Sequence, residues 1–237
     1  MITIKINHDY RRFKEGEEFN LDVSPSHILV VTGSNGLGKS SLLRGIRGIK
    51  DSLKDINRSD FDGMTIQANT LASMDFNANA SIEGLDEFEE VYCLDRVTDD
   101  PNSFEAAATA SGLLGGGGFY AGRMSGGQKS IFMLHKFIEK IKKIHKKEAN
   151  SLVILDKVDS GFDIYNQMNY ITIVSKKFRS VLENPSIIVV THNPLSIISK
   201  RVEIPIKIYD MDIKYTIKSP KDWFYIVTGI ELSYDDN

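Results

Sequence analysis

Cysteine occurs once in the 237 residues, at Cys93, so no internal disulfide is available to staple the fold. Long apolar runs are also missing. Ile28 to Val31, Leu152 to Leu155 and Ile187 to Val190 are far shorter than the ~20 residues a helix needs to cross a bilayer, which excludes a membrane-spanning helix. The opening Met1-Ile2-Thr3-Ile4-Lys5 has neither the charged region nor the apolar stretch and cleavage site of a secretion signal, so a cytoplasmic, unprocessed chain is expected. Charge of one sign is scarce: 29 Lys+Arg against 32 Asp+Glu leave a net −3, too little to draw the whole molecule to nucleic acid or to a membrane. No repeat of 20–50 residues and no sustained heptad pattern is visible, which excludes solenoids and long coiled coils. With 41% hydrophobic and 26% charged residues, what remains is an ordinary globular composition.

Apolar and polar residues alternate over Ile2 to Ile6 and again at Phe19, Leu21 and Val23, predicting an antiparallel pair with one covered face. The three short apolar runs differ in kind. They are continuous and rich in Val and Ile, as expected of strands buried on both faces of a mostly parallel sheet. Helices are expected at Ser40 to Asp55, Ser125 to Glu148, Tyr165 to Leu182 and Leu195 to Ser199. Strand followed by helix recurs, so the predicted class is α/β with an antiparallel N-terminal edge. One domain over residues 1–237 is expected, carrying an insert at about 60–124 with a strand at Val91 to Leu94. Gly112 to Gly127 holds eight glycines, read either as a flexible loop or as a hinge that orders with ligand. The tail from Ile204 to Leu232 reads as short strands, with Trp223, Phe224 and Tyr225 packing an edge.

The most informative stretch is Gly33-Ser34-Asn35-Gly36-Leu37-Gly38-Lys39-Ser40, which fits G-x-x-x-x-G-K-[ST] between a buried strand and a helix. Glycines let backbone N–H groups wrap phosphates without a Cβ in the way, and the following helix N-terminus favours the anion. In such a loop Lys39 bridges the β- and γ-phosphates and the Ser40 hydroxyl faces Mg²⁺, with Ser41 in the first helical turn. A strand-end carboxylate, Asp156, suits Mg²⁺ through its water shell.

Ser125-Gly126-Gly127-Gln128 follows Lys39 by 86 residues and opens an amphipathic helix. At this point the sequence resembles the ATP-binding cassette (ABC) ATPases, whose signature reads S-G-G-Q. Leu152 to Asp156 looks like the Walker B strand, Ser160-Gly161-Phe162-Asp163 like the D-loop, and Thr191-His192-Asn193 like the switch histidine. The resemblance implies a P-loop NTPase fold with the signature on an inserted lobe. It also implies ATP and Mg²⁺ as ligands, and a head-to-tail homodimer in which one copy's signature closes over the other copy's nucleotide. Asp163 and His192 would then act at the γ-phosphate. Gln67 is a candidate metal-sensing glutamine, with Asp95 at a strand end competing for the place.

One residue departs from that family. Where these ATPases place a water-polarising glutamate after the Walker B aspartate, this chain has Lys157. Lysine has an ordinary pKa of ~10.4 and is cationic beside phosphates, so it cannot take a proton from water; slow or absent hydrolysis is expected. Lys157 could tether the γ-phosphate or pair across the dimer. The segment Asn7 to Phe13 resembles the lead-in of chromosome-maintenance and double-strand-break-repair ATPase heads, where Tyr10 or Phe13 would stack on adenine and Arg11 or Arg12 reach a phosphate. Lys136, Lys140, Lys143 and Lys147 fall on one side of the signature helix, either as a solvated face or as a track for a phosphate backbone. The leading expectation is an ATP-dependent dimerising switch acting with DNA or a nuclease. The alternatives are the ATPase subunit of a membrane transporter and a non-hydrolysing interaction module.

Overall fold

The computed structural model describes residues 1–52, 74–95, 125–146, 148–197 and 204–229. Gln67, Lys147, most of the glycine-rich stretch and about two thirds of the expected insert lie outside the described residues.

A six-stranded sheet in the order β5-β6-β7-β3-β8-β9 forms the centre: β3 (Ile28–Thr32), β5 (Glu90–Asp95), β6 (Ser151–Asp156), β7 (Ser186–Val190), β8 (Ile206–Asp210) and β9 (Tyr215–Ile217). All neighbours run parallel except β8 and β9. A second sheet, order β2-β1-β4, is the expected antiparallel edge, made of β1 (Ile2–Ile6), β2 (Glu18–Leu21) and β4 (Ala80–Glu83). It pairs Ile4 with Phe19 on one side and with Ile82 on the other.

The helices include α1 (Lys39–Ile49), α2 (Gly126–Ile144), α3 (Ile164–Arg179), α4 (Pro194–Ile197) and α5 (Pro220–Thr228), and a 3-10 turn spans Leu85–Glu87. The central sheet's alternation sorts its side chains into two cores. Leu29 and Val31 join Leu42, Leu43 and Ile46 of α1 and the inner face of the small sheet, whereas Ile28 and Val30 join α2 and α3. Phe137 of α2 meets Phe178 of α3 edge to face, ring centroids 5.9 Å apart, in this second core.

Several boundaries differ from the sequence reading, among them α3, which ends at Arg179 rather than Leu182. Helix α1 stops at Ile49 because Lys50 turns extended and Ser52 N–H donates to Val91 O, tying the chain to β5. Helix α2 begins with a capping box between Ser125 and Gln128 and ends at Ile144. The tail is only partly strand: Trp223, Phe224 and Tyr225 lie on α5 rather than on a sheet edge. Ser219 caps the first turn, Pro220 opens the helix and Gly229 closes it in the left-handed region, and these stop signals override the strand preference of the aromatics.

A buried carboxylate fixes α2 to the sheet. Glu90 accepts from the Tyr92 hydroxyl (2.5 Å), His145 Nδ1 (2.7 Å) and the Lys146 N–H (3.0 Å), gripping the residues that terminate α2. Burial pushes its carboxyl pKa up, but the donors from Tyr92, His145 and Lys146 outweigh it and hold the group below the ordinary range. A depressed folded pKa stabilises the protein above the unfolded value and loses that contribution as pH falls through the folded one. Glu90→Gln is therefore expected to cost about 2 kcal/mol near neutral pH. It should also flatten the fall of stability on acidification, both read by urea unfolding between pH 3 and 7.

Candidate nucleotide site

The carboxyl ends of β3, β5, β6, β7 and β8 converge on one edge, where Thr32 is in register with Asp210 and Asp95 with Asp156. The loop leaving β3 has three glycines in backbone conformations that side chains rarely adopt, Gly33 (φ +124°), Gly36 (φ +81°) and Gly38 (φ +81°). Gly38 is required twice over, because a Cβ there would sit 2.3 Å from Cζ of Phe13. Helix α1 then starts with no side-chain cap and no acidic residue in its first turn, leaving its first N–H groups to face an anion.

Lys39 is buried, and its ammonium donates to Gly33 O at 2.8 Å and Ser34 O at 2.7 Å. Burial, with the nearby Lys157 cation, pushes its pKa down to about 8. On the other side of the loop, Asp212 accepts from the Ser34 N–H at 2.7 Å and the Ser34 hydroxyl at 3.1 Å. Asn35 and Gly36 are exposed at the tip, Leu37 is half-buried against Gly33, and Ser41 N–H returns to Gly38 O.

Asp156 ends β6 almost fully buried, and its Oδ1 has no hydrogen-bond partner. Its carboxyl is pushed up to about 6, by burial first and by Asp95 second, opposed by a hydrogen bond from the Ser40 hydroxyl. A shielded carboxylate oxygen without a donor, beside a serine hydroxyl, has the chemistry of a seat for a hydrated hard cation. Ser40 and Asp156 are thus brought together. Asp95 also lies at this point, its Oδ2 taking the Arg44 guanidinium at 3.0 and 3.1 Å.

Lys157 follows in the left-handed region, φ +56°, with its N–H on Val190 O. Its charge contributes to lowering the pKa of both Lys39 and His192. His192 Nδ1 lies 3.2 Å from Gly33 O. Since a carbonyl only accepts, Nδ1 carries the hydrogen, and burial and Lys39 lower the ring's pKa. Nearby, Asp159 is buried and takes the Thr191 and Ser196 hydroxyls, fixing the turn that bears His192.

The signature residues meet a different neighbour. A Cβ on Gly127 would approach Gly161 O to 2.9 Å, and the Ser130 hydroxyl donates to Ser160 O, so the start of α2 rests on the loop before α3. Ser125 and Gln128 satisfy each other's backbone N–H groups. Asp163 caps α3, accepting from the Asn166 N–H and side chain. Ser125, Gly126, Gly127 and Gln128 therefore sit with Asp163, apart from the residues around Lys39.

The N-terminal lead-in divides. Tyr10 and Phe13 are 7% and 1% exposed and pack edge to face on Phe76, so neither ring offers a face to a base, contrary to the sequence expectation. The short Tyr10 and Phe13 bridge turns both inward under the phosphate loop. Arg12 Nη1 reaches Gly36 O at 3.5 Å, whereas the Arg11 guanidinium lies 5.2 Å from the Tyr10 ring centroid. Asp212 and Arg44 were not anticipated. Both act through contacts between distant segments, for which sequence spacing carries no signal.

Gly38→Ala is expected to weaken nucleotide binding at least about tenfold, through both φ and the Phe13 clash. Gly16→Ala, at φ +84° with open space around it, should cost only about 1 kcal/mol of stability and leave binding intact. Calorimetric titration with Mg-ATP separates the two.

Comparison with known proteins agrees with this geometry. The ABC transporter family model matches residues 17–145, more than half of the chain. The multiple sugar-binding transport ATP-binding protein MsmK of Streptococcus mutans is 32% identical over 59 residues, 23% of this chain and 16% of that protein. Two solved structures are similar. The SMC head domain from Thermotoga maritima is 13% identical, with coverage of 87% of this chain and 93% of that one and a TM-score of 0.42. A bacterial Atm1-family ABC exporter with ATP bound is 14% identical, with 95% and 40% covered and a TM-score of 0.49. A P-loop after a buried strand, a signature at a capped helix start and a match over more than half its length make this chain a member of the ABC ATPase family.

Proposed function

We propose that the chain is an ATP-gated dimerising switch with weak hydrolysis, acting in DNA repair or processing or in phage-related defence. The carrying observation is a lysine, Lys157, directly after the buried Asp156, its charge contributing to the lowered pKa of Lys39. The backbone of Gly33 to Ser40 holds the triphosphate, with Lys39 leaving the Gly33 and Ser34 carbonyls for the β- and γ-oxygens. Ser40 and Asp156 would hold the Mg²⁺ shell, with Asp95 in register beside Asp156; Gln67, the other candidate, lies outside the described residues. Mg²⁺ supplies neutralisation of phosphate charge there. Arg12 adds a cation at the loop tip.

Lys157 stands where a carboxylate base would take a proton from water, so that acceptor is missing, while His192 keeps its Nδ1 hydrogen on Gly33 O. Retained ATP prolongs the closed state. In that state Ser125, Gly126, Gly127 and Gln128 of a second copy, with Asp163 beside them, cover the nucleotide.

A basic face supports the choice of DNA. Lys136, Lys140 and Lys143 are exposed on α2, and Lys177 of the neighbouring α3 lies 3.2 Å from His135, in a chain whose net charge is −3. Such a face neutralises several backbone phosphates. The transporter reading rests on the short match to the sugar-transport protein, and among the described residues no helix is long and apolar enough to cross a membrane.

Mg-ATP is expected to convert monomer to dimer in light scattering without sustained phosphate release. Lys157→Glu should raise turnover at least about tenfold, the effect of a general base; unchanged turnover with ATP binding intact would remove the missing-base explanation. Replacing Lys136, Lys140 and Lys143 by Gln should weaken duplex DNA binding and reduce its salt slope by about three. No DNA binding at low salt, with stable recovery alongside membranes, would favour the transporter subunit.

A further inference from the structure

The turn between β8 and β9 reaches the phosphate loop, and it is held from behind by the C-terminal helix. Met211 N–H donates to Thr32 O, extending the pairing of β3 and β8 up to the first residue of the loop. Asp212 then grips Ser34 through both its N–H and its hydroxyl. The conformation of Asp212 is set by Asp210, whose Oδ1 accepts the Asp212 N–H at 2.9 Å. The other oxygen of Asp210 accepts the indole N–H of Trp223 at 2.7 Å in a buried position. One carboxylate thus joins α5 to the turn, and a second joins the turn to the loop.

The consequence lies in the peptide between Gly33 and Ser34. Its carbonyl, Gly33 O, accepts from Lys39 at 2.8 Å and lies 3.2 Å from His192 Nδ1, and its N–H is held by Asp212. When Lys39 moves to phosphate it must release that carbonyl, and Asp212 still holds the N–H side of the same peptide. The fit around it is close: a Cβ on Gly33 would lie 3.2 Å from Asp212 Oδ2 and 3.3 Å from Met211 Cβ. A change at Lys39 on one side of this peptide therefore bears on Asp212 on the other.

We propose that Trp223, Asp210 and Asp212 form a hydrogen-bonded relay that positions Ser34 and couples α5 to occupancy of the phosphate loop. These are positioning residues; none of them meets the nucleotide. The relay rests on the reading of this loop as a nucleotide site.

The chain contains a single tryptophan, so indole emission reports this relay alone. In the full chain, Trp223 emission is expected to shift on Mg-ATP addition, in step with binding measured by calorimetry. Asp212→Ala should weaken ATP binding by about tenfold and silence the shift at saturating ATP. Trp223→Phe should weaken binding by roughly fivefold, and the double variant should bind no more weakly than Asp212→Ala alone. A structural role alone would lower the unfolding temperature of Trp223→Phe without moving ATP affinity. That result, losses that multiply in the double variant, or a silent Trp223 in ATP-bound wild type would each overturn the relay while sparing the nucleotide site. Wild type that binds no ATP would overturn both. If Trp223→Phe fails to fold, the emission of wild type and of Asp212→Ala decides.

Discussion

The ammonium of Lys39, folded back onto the carbonyls of Gly33 and Ser34, is the interaction on which the rest of the site depends. A loop of eight residues with three left-handed glycines has large backbone freedom and little side-chain packing of its own. Its shape without ligand must come from polar contacts. Lys39 supplies two from inside, Arg12 one from the tip and Asp212 two from the neighbouring turn. Below, Phe13 fills the space against Gly38 where a side chain would otherwise sit. The buried aromatic packing of Phe13 with Phe19 and Phe76 therefore supports the loop directly. The small antiparallel sheet, by burying those rings, prepares a cradle in advance of any phosphate.

The same edge gathers unlike charges at short range. Asp95 and Asp156 are in register, which raises the Asp156 pKa, and Arg44 from α1 takes up Asp95. Arg44 thereby ties the helix that begins at the phosphate loop to the strand beside Asp156. Lys39 and Lys157 repel each other across the cradle, and Asp156, Asp210 and Asp212 counter part of that repulsion. Such a site favours a polyanion: two cations only partly countered by carboxylates lie with the first N–H groups of α1, which have no side-chain cap. A triphosphate with its metal would satisfy all three at once.

Local features were legible in the sequence, and long-range ones were not. The phosphate loop, the buried strands and the Ser125 and Gln128 capping pattern are contiguous motifs whose backbone needs are written in a few neighbouring residues. The parallel order follows from continuous apolar runs that only two-sided burial explains. By contrast, Asp212 is 178 residues from Ser34, and Glu90 is 55 residues from His145. Those partnerships exist only once β8 lies beside β3 and β5 beside α2. The inward turn of Tyr10 and Phe13 was missed for the same reason, since the hairpin's burial depends on Phe76 arriving from a distant segment. The helix over Pro220–Thr228 differs in kind: its Ser-Pro start and Gly stop are local signals, and they prevail over the strand preference of Trp223, Phe224 and Tyr225.

Lys157 gains its meaning from this frame. In the left-handed region a lysine is held against its backbone preference, and its N–H is pinned to Val190 at the end of the adjoining strand. The backbone at this position is therefore fixed independently of the side chain that it carries. Exchanging a base for a cation at a fixed place changes the sign of one charge without asking the fold to change. Under the proposed switch, attraction to the γ-phosphate would increase and the proton acceptor for water would be gone. The contacts that recruit nucleotide would remain, so the length of the bound state would be set by dissociation and by opening of the proposed dimer rather than by chemistry at the phosphate.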